Sequence, residues 1–387
     1  MKKNRLVGIA AALVLSLAAA ATSCVTNSPA IVSSTIARFV YVGNQNDGTI
    51  SAYSIDNTSG NLGSISGSPF SGTTGPRNVV TCRSGQLLYA ANGDTNGVSG
   101  YKINLATGAL TPVPGSPFAG GNAPRGIAVD PAGTYLYVAN SGDNTVSAYR
   151  ITGSNGTLTP VTGSPFAAGT GPFGITVDPT GRFVYVANHK SSDISGYGIN
   201  PSTGALTELE GSPFPDAEDD EESTGPFEIA ITPSGTFAYV TNHFTGDISG
   251  FSLDPTSGAL SPLDSGPYEA GNEPFGIEVA PSGAFVYVVN REDGDVNVYS
   301  LDPSSGALSL TQNSPFNLGD LGDCFASPYE LALDGTGRFL YVPSNGCGAI
   351  SAFTVDATTG DLTLLDSSPF PAGNGPYGIA IARLRLQ

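Results

Sequence analysis

The same pattern of residues recurs seven times along the 387-residue chain. Aligned on a tyrosine inside an apolar run, the copies fall at Tyr41, Tyr89, Tyr137, Tyr185, Tyr239, Tyr287 and Tyr341. Successive tyrosines are 48 residues apart, except at two junctions of 54. A fixed period of this length means that the chain stacks one supersecondary unit repeatedly. Each copy opens with a short apolar run such as Gly126-Ile127-Ala128-Val129, followed by an Asp-Pro-x-Gly turn at 130–133. In such a turn the Asp side chain can cap the backbone and the Gly takes a positive φ. Tyr135 to Asn140 then reads as a second strand, and Val146 to Ile151 alternates as a third. A turn like Thr107-Gly108-Ala109-Leu110 leads to a short fourth strand. Ser-Pro-Phe and a Gly-rich connector ending in Pro close the unit, as in 164–172.

Four short strands per unit of about fifty residues predict a propeller blade, a twisted sheet packed face to face on its neighbours. A solenoid would instead show atypical capping repeats at its ends. Here the ends complete each other. The pattern starts mid-unit at Phe39-Val40-Tyr41-Val42 and finishes with a lone first strand, Tyr377 to Ala382. The expected fold is therefore all-β: a single seven-bladed β-propeller of four-stranded antiparallel blades over 38–387. The C-terminal strand joins the N-terminal blade, which removes the sheet edges. Composition agrees. The 51 Gly and 29 Pro make up about a fifth of the chain. Inside helices they would cost about 1 and 3 kcal/mol per position. The 40% of apolar residues is ample for a core.

The stretch before the first repeat reads as export machinery. Lys2, Lys3 and Arg5 precede an apolar run from Leu6 to Ala21, too short to span a bilayer comfortably. Its end, Ala21-Thr22-Ser23-Cys24, resembles a bacterial lipoprotein cleavage site, in which the Cys becomes the lipidated first residue. In the alternative, an ordinary signal peptidase cuts after the Ala-rich stretch and Cys24 is incidental. The expectation is a signal peptide over 1–23, a tether over 24–37, and export to the bacterial cell envelope with a lipid anchor at Cys24. The membrane is met through that anchor only. Removing the three leader cations would take the formal charge from −18 to near −21. With only Lys102 and Lys190 left beside scattered arginines, nucleic acid is excluded as a partner. A monomer is expected.

Tyr239-Val240-Thr241-Asn242 spells YVTN, and Tyr-Val-Ala-Asn stands at 137–140 and 185–188. With the Asp-Pro-x-Gly and Thr-Gly-x-Leu turns, this resembles the YVTN-type and lactonase-like seven-bladed propellers over about 38–383. Some lactonase-like members are similar to 6-phosphogluconolactonase, others to fungal carboxymuconate cyclases. The resemblance implies a lactonase-type carboxylic ester hydrolase. Lactonase-like enzymes often carry a His near the start of an inner strand, where this chain has Arg, Phe or Tyr. These motifs sit in strands and turns that every blade needs, so they specify the fold more than the chemistry.

Chemistry belongs where the repeats differ. In a propeller the connector entering each first strand shares a face with the loop between strands two and three, around the central channel. After the connector Pro stand Arg77, Arg125, Phe173, Phe227, Phe275, Tyr329 and Tyr377. One residue on, Asn78, Glu228 and Glu330 replace the Gly of the other blades, and both Glu blades have the longer connectors. His189 and His243 follow the second-strand Asn of adjacent blades. The functional expectation is a pocket in which Arg77 and Arg125 hold a carboxylate or an oxyanion. A Glu, Glu228 or Glu330, would be the general base. In the bland alternative the aromatics plug the channel and Glu pairs with Arg. The residues themselves favour a binding platform for an envelope glycan, a protein or a small molecule. Lactone hydrolysis is the alternative that the resemblance adds.

No metal site and no cofactor are expected from the motifs. The acidic run Asp216, Glu218, Asp219, Asp220, Glu221 and Glu222 lacks the spacing of a dedicated Ca²⁺ loop. It is expected to be a solvated loop, with Ca²⁺ as the lesser alternative. Export permits disulfides. Cys324 and Cys347 fall on the same face of one blade and are the expected pair, while Cys82 is expected to be free.

Overall fold

The computed structural model describes residues 38–82, 84–216 and 224–383. They form seven antiparallel sheets, each running from a first strand near the axis outward to a fourth. Blade 3 shows the order: Pro124–Val129, Tyr135–Asn140, Thr145–Thr152, Thr157–Pro160. First strands of neighbouring blades contact one another and so surround the axis. Blade 1 is made from both ends, with Pro376–Arg383 antiparallel to Arg38–Asn44 and Tyr41 opposite Ala380. The signal peptide at 1–23, Cys24 and the tether at 24–37 lie outside the described residues.

The repeated residues hold blade to blade. Each central tyrosine is fully buried and donates its hydroxyl to a glycine carbonyl in the Thr-Gly-type turn of the next blade, at 2.6 to 3.2 Å. The last link runs from Tyr341 in blade 7 to Gly60 in blade 1. Gly60 has φ +79°, and a Cβ there would stand 2.4 Å from the Phe339 ring, so no other residue fits. The signature Asn is structural too. Asn242 is buried and donates to Ser249 at 2.8 Å and Asp247 at 2.7 Å, tying strand two to strand three. The Asp of the Asp-Pro turn accepts backbone N–H groups, as Asp130 does from Thr134 and Tyr135.

The Ser-Pro-Phe segment is more than a connector. In six blades Phe118–Ala119 and its counterparts form a two-residue strand paired back onto the start of strand three, and in blade 1 Phe70 makes a single bridge to Ile50. The Ser hydroxyl accepts a third-strand N–H, as Ser116 does from Gly100 at 2.9 Å. A buried ion pair, Arg38 with Asp334, ties blade 1 to blade 7 beside the closure.

Cys324 and Cys347 form a disulfide with a Cα separation of 5.4 Å, and Cys82 is free and buried. Asp216 corrects the expectation of a solvated acidic loop. It is buried, its carboxyl accepts from the Thr224 hydroxyl at 2.7 Å, and its carbonyl accepts from Ser249. Burial pushes its pKa up to about 7. Its position next to the paired segment Phe214–Pro215 draws it inward, whereas 217–223 lie outside the described residues.

Candidate functional site at the channel mouth

Two rings of variable residues build the mouth. The lower ring follows the connector prolines. The upper ring follows the second-strand Asn, and its N–H groups bond the residue just before each connector Pro: His189 to Gly171, His243 to Gly225, Arg291 to Glu273, at 2.9 to 3.0 Å. This register sets the upper ring over the lower one. Together they enclose a pocket of about 220 Å³ lined by Arg77, Arg125, His189, His243 and the aromatics Phe173, Phe227, Phe275, Tyr329 and Tyr377.

The aromatics form a continuous arc. Ring centroids are 4.7 Å apart for Phe173–Phe227, 3.9 Å for Phe227–Phe275, 4.9 Å for Phe275–Tyr329 and 4.1 Å for Tyr329–Tyr377. The arginines cap its ends: Arg125 lies 4.5 Å from the Phe173 centroid and Arg77 5.8 Å from that of Tyr377. Neither arginine joins an ion pair among the described residues. Arg77 Nε is buried without a partner, and Gly93 gives its stem room, since a Cβ there would meet Arg77 Cγ at 2.8 Å.

Beneath the mouth is a chamber of about 10 Å³ lined by Asn78, Glu228 and Glu330 together with Arg77, Arg125 and Tyr377. That is room for about one water. The first strands approach so closely here that Asn78, Glu228 and Glu330 each stand beside a glycine of the blade before. A Cβ on Gly174 would lie 3.0 Å from Glu228 Cδ, one on Gly276 3.1 Å from Glu330 Oε2, and one on Gly378 2.6 Å from Asn78 Cα. Each polar residue therefore requires the preceding blade's glycine. Asn78 donates to Glu330 Oε1 at 3.4 Å.

Burial raises the pKa of both glutamates, and Glu330 is raised further by the Glu228 and Glu278 carboxylates. Burial first, then the charge of Arg77, lowers that of Arg125, which remains a cation. Tyr377 is held protonated by burial. Burial lowers the pKa of His189, and burial with His189 and Arg291 nearby brings His243 to about 4. Both imidazoles are thus neutral at neutral pH. His189 Nδ1 lies 3.1 Å from the Gly225 carbonyl.

The structure brings all the candidate residues to this one end of the channel. It also adds three that the sequence reading missed. Arg291 sits 5.7 Å from the centroids of both Phe275 and Tyr329 and pairs with Glu273. It holds the same place after Asn290 as His189 and His243 after theirs, a register signal present in the sequence. Glu278 accepts the Leu333 N–H at 2.7 Å in the strand below Glu330. Phe244 packs on His189 and His243 at 4.8 and 5.0 Å. Among the described residues, no group of three or more His, Cys, Asp or Glu is arranged to hold a metal.

Comparison with known proteins places the chain in a family. The family model "Lactonase, 7-bladed beta-propeller" matches residues 13–122, 112–218 and 212–321. Similar solved structures include the periplasmic gluconolactonase PpgL of Pseudomonas aeruginosa, with TM-score 0.74 and 18% identity over 90% of this chain and 100% of that one. A Bacteroides fragilis protein described as a 6-phosphogluconolactonase has TM-score 0.75 and 19% identity, over 92% and 99% of the two chains. A Lactobacillus plantarum protein has TM-score 0.71 and 21% identity, over 89% and 99%. At these identities the likeness is one of fold. None of the curated protein sequences matches the chain significantly.

Proposed function

Because the chain belongs to the seven-bladed lactonase β-propeller family, we propose that it opens the lactone ring of a sugar acid at the channel mouth. The observation that carries this reading is the stacking of two functions on one axis. Among the described residues, Arg77 and Arg125 stand without an ion-pair partner beside a one-water chamber that also holds Glu228 and Glu330.

The chemistry follows from that arrangement. The lactone carbonyl oxygen faces the two arginines, whose donors stabilise the negative charge that develops on it. The sugar ring lies against the aromatic arc. Burial raises both glutamates, and the Glu228 and Glu278 carboxylates raise Glu330 further, so the reactive form of the pair is the one that has lost a single proton, with one member ionised and the other protonated. The ionised member takes a proton from the chamber water as its oxygen adds to the carbonyl carbon. The bond from that carbon to the ring oxygen then breaks, and the protonated member supplies the proton to the leaving oxygen. One water is consumed, one hydroxy acid forms, and the pair again holds one proton.

An unphosphorylated lactone suits the molecule better than a phosphorylated one, since a chain of charge −18 repels a dianion at long range. We place the protein outside the cytoplasm, led there by residues 1–23 and anchored at Cys24. The periplasmic gluconolactonase of similar fold supports export, and loss of membrane association in Cys24→Ser tests the anchor.

A second reading, a platform that holds a ligand without turnover, is favoured by the five aromatics and by the lack of His at the inner-strand positions. Proton release from a panel of aldonolactones separates the two. Saturable hydrolysis that Glu228→Gln abolishes and Arg125→Ala lowers about 10²-fold supports the enzyme. No rate above spontaneous opening for any lactone refutes it.

A further inference from the structure

Beside the mouth, sharing His243 with it, lies a second cleft of about 460 Å³. Its wall carries Phe244, at 58% the most exposed large hydrophobic residue among the described residues. Isolated exposed hydrophobics are common. This one differs in being fixed. Its ring rests on the imidazoles of His189 and His243. Its N–H bonds the Thr224 carbonyl. Gly225 beneath it has φ +66°, and a Cβ there would stand 2.5 Å from Phe244 Cδ2. An exposed ring held in place at a cleft edge is a contact surface prepared before any ligand arrives.

The rest of the lining includes the polar and acidic residues Asn272, Glu273 and Glu292. The two arginines line only the mouth, whereas Glu273, paired with Arg291, and Glu292 line only the cleft. An occupant of both has an electron-rich carbonyl or carboxylate end at the arginines. Its far end is neutral, with apolar ring faces for Phe244 and hydroxyl donors for the carboxylates. Size points the same way. The mouth alone, at about 220 Å³, is smaller than the roughly 300–1,000 Å³ of ordinary small-molecule pockets. Mouth and cleft together fall within that range.

We propose that the cleft over Phe244 is a second sugar subsite, so that the substrate is the lactone of a disaccharide acid rather than of a single sugar acid. This rests on the lactonase reading for its turnover but not for its binding. The non-lactone sugar stacks on Phe244, and Glu273 and Glu292 accept hydrogen bonds from its hydroxyls.

The test compares kcat/KM for glucono-δ-lactone and cellobiono-δ-lactone in the wild type, in Phe244→Ala, and in Phe325→Ala as an exposed aromatic of another blade. Calorimetric binding of cellobionate and gluconate is measured in parallel. The expected result is a preference for the disaccharide lactone, read as the ratio of the two kcat/KM values, that Phe244→Ala lowers about ten-fold and Phe325→Ala does not change. Equal rates for the two lactones, or an equal loss on both, overturns the subsite. If neither lactone is hydrolysed, the hydrolase reading fails by itself. The subsite then stands if cellobionate binds more tightly than gluconate in a Phe244-dependent way, and falls if it does not.

Discussion

The guanidinium carbon of Arg125 lies 4.5 Å from the centroid of the Phe173 ring in the next blade. The contact fixes the planar cation by its face and leaves its edge donors for a ligand. Arg125→Ala is expected to lower kcat/KM for a lactone by about 10²-fold, the usual loss of one oxyanion donor. Arg125→Lys restores only part, because an ammonium neither stacks nor forks. Steady-state kinetics of the three proteins check this.

The acid limb of the pH–rate profile identifies the base. The pKa of Glu228 and Glu330 is raised, and a base must be ionised, so the rate should climb with pH above the ordinary carboxylate range. His243, lowered to about 4, and His189, also lowered, would give a limb at lower pH instead. Glu228→Gln should remove the limb together with the rate.

Asp216 makes stability fall as pH rises. Its folded pKa, about 7, exceeds that of a free Asp, so the native state keeps its proton where the unfolded chain loses it. Its contribution is complete below about pH 4 and lost as pH climbs through 7. Tm should therefore drop between pH 5 and 8, and Asp216→Asn should flatten that drop in thermal unfolding scans.

The ring closure concentrates stability at the junction of the chain ends. Arg38→Ala leaves the Asp334 carboxylate buried without its cation and should cost about 3–5 kcal/mol. Tyr341→Phe removes only the hydrogen bond to the Gly60 carbonyl and should cost about 1 kcal/mol. Denaturant titrations give both numbers.

The disulfide closes a 23-residue separation within blade 7. Reducing it, or replacing Cys324 and Cys347 with Ala, should lower stability by about 3 kcal/mol. Cys82, buried with its pKa raised by that burial, should stay unreactive to thiol reagents until the protein unfolds.

The period of the repeat was enough to predict the blade count and the closure, because tyrosine, turn glycine and capping Asp recur wherever a blade meets its neighbour. The mouth was legible for the opposite reason: Arg77, Glu228 and Glu330 break the repeat. What stayed hidden depends on distances across blades. Nothing local in the sequence says that Arg38 reaches Asp334, or that Glu278 lies close enough to raise Glu330. Ser-Pro-Phe was read as a connector because its partner strand lies earlier in the chain. Asp216 was read as solvated because its neighbours in sequence are acidic, whereas its neighbours in space include Thr224 and Ser249.

The most direct test is a crystal structure with gluconate, the product of ring opening, bound at saturating concentration. The account predicts its carboxylate within hydrogen-bond distance of both Arg77 and Arg125, its carbon chain against the Phe173–Tyr377 arc, and one carboxylate oxygen toward the chamber of Glu228 and Glu330. Gluconate bound elsewhere, or an empty mouth at saturation, would contradict it.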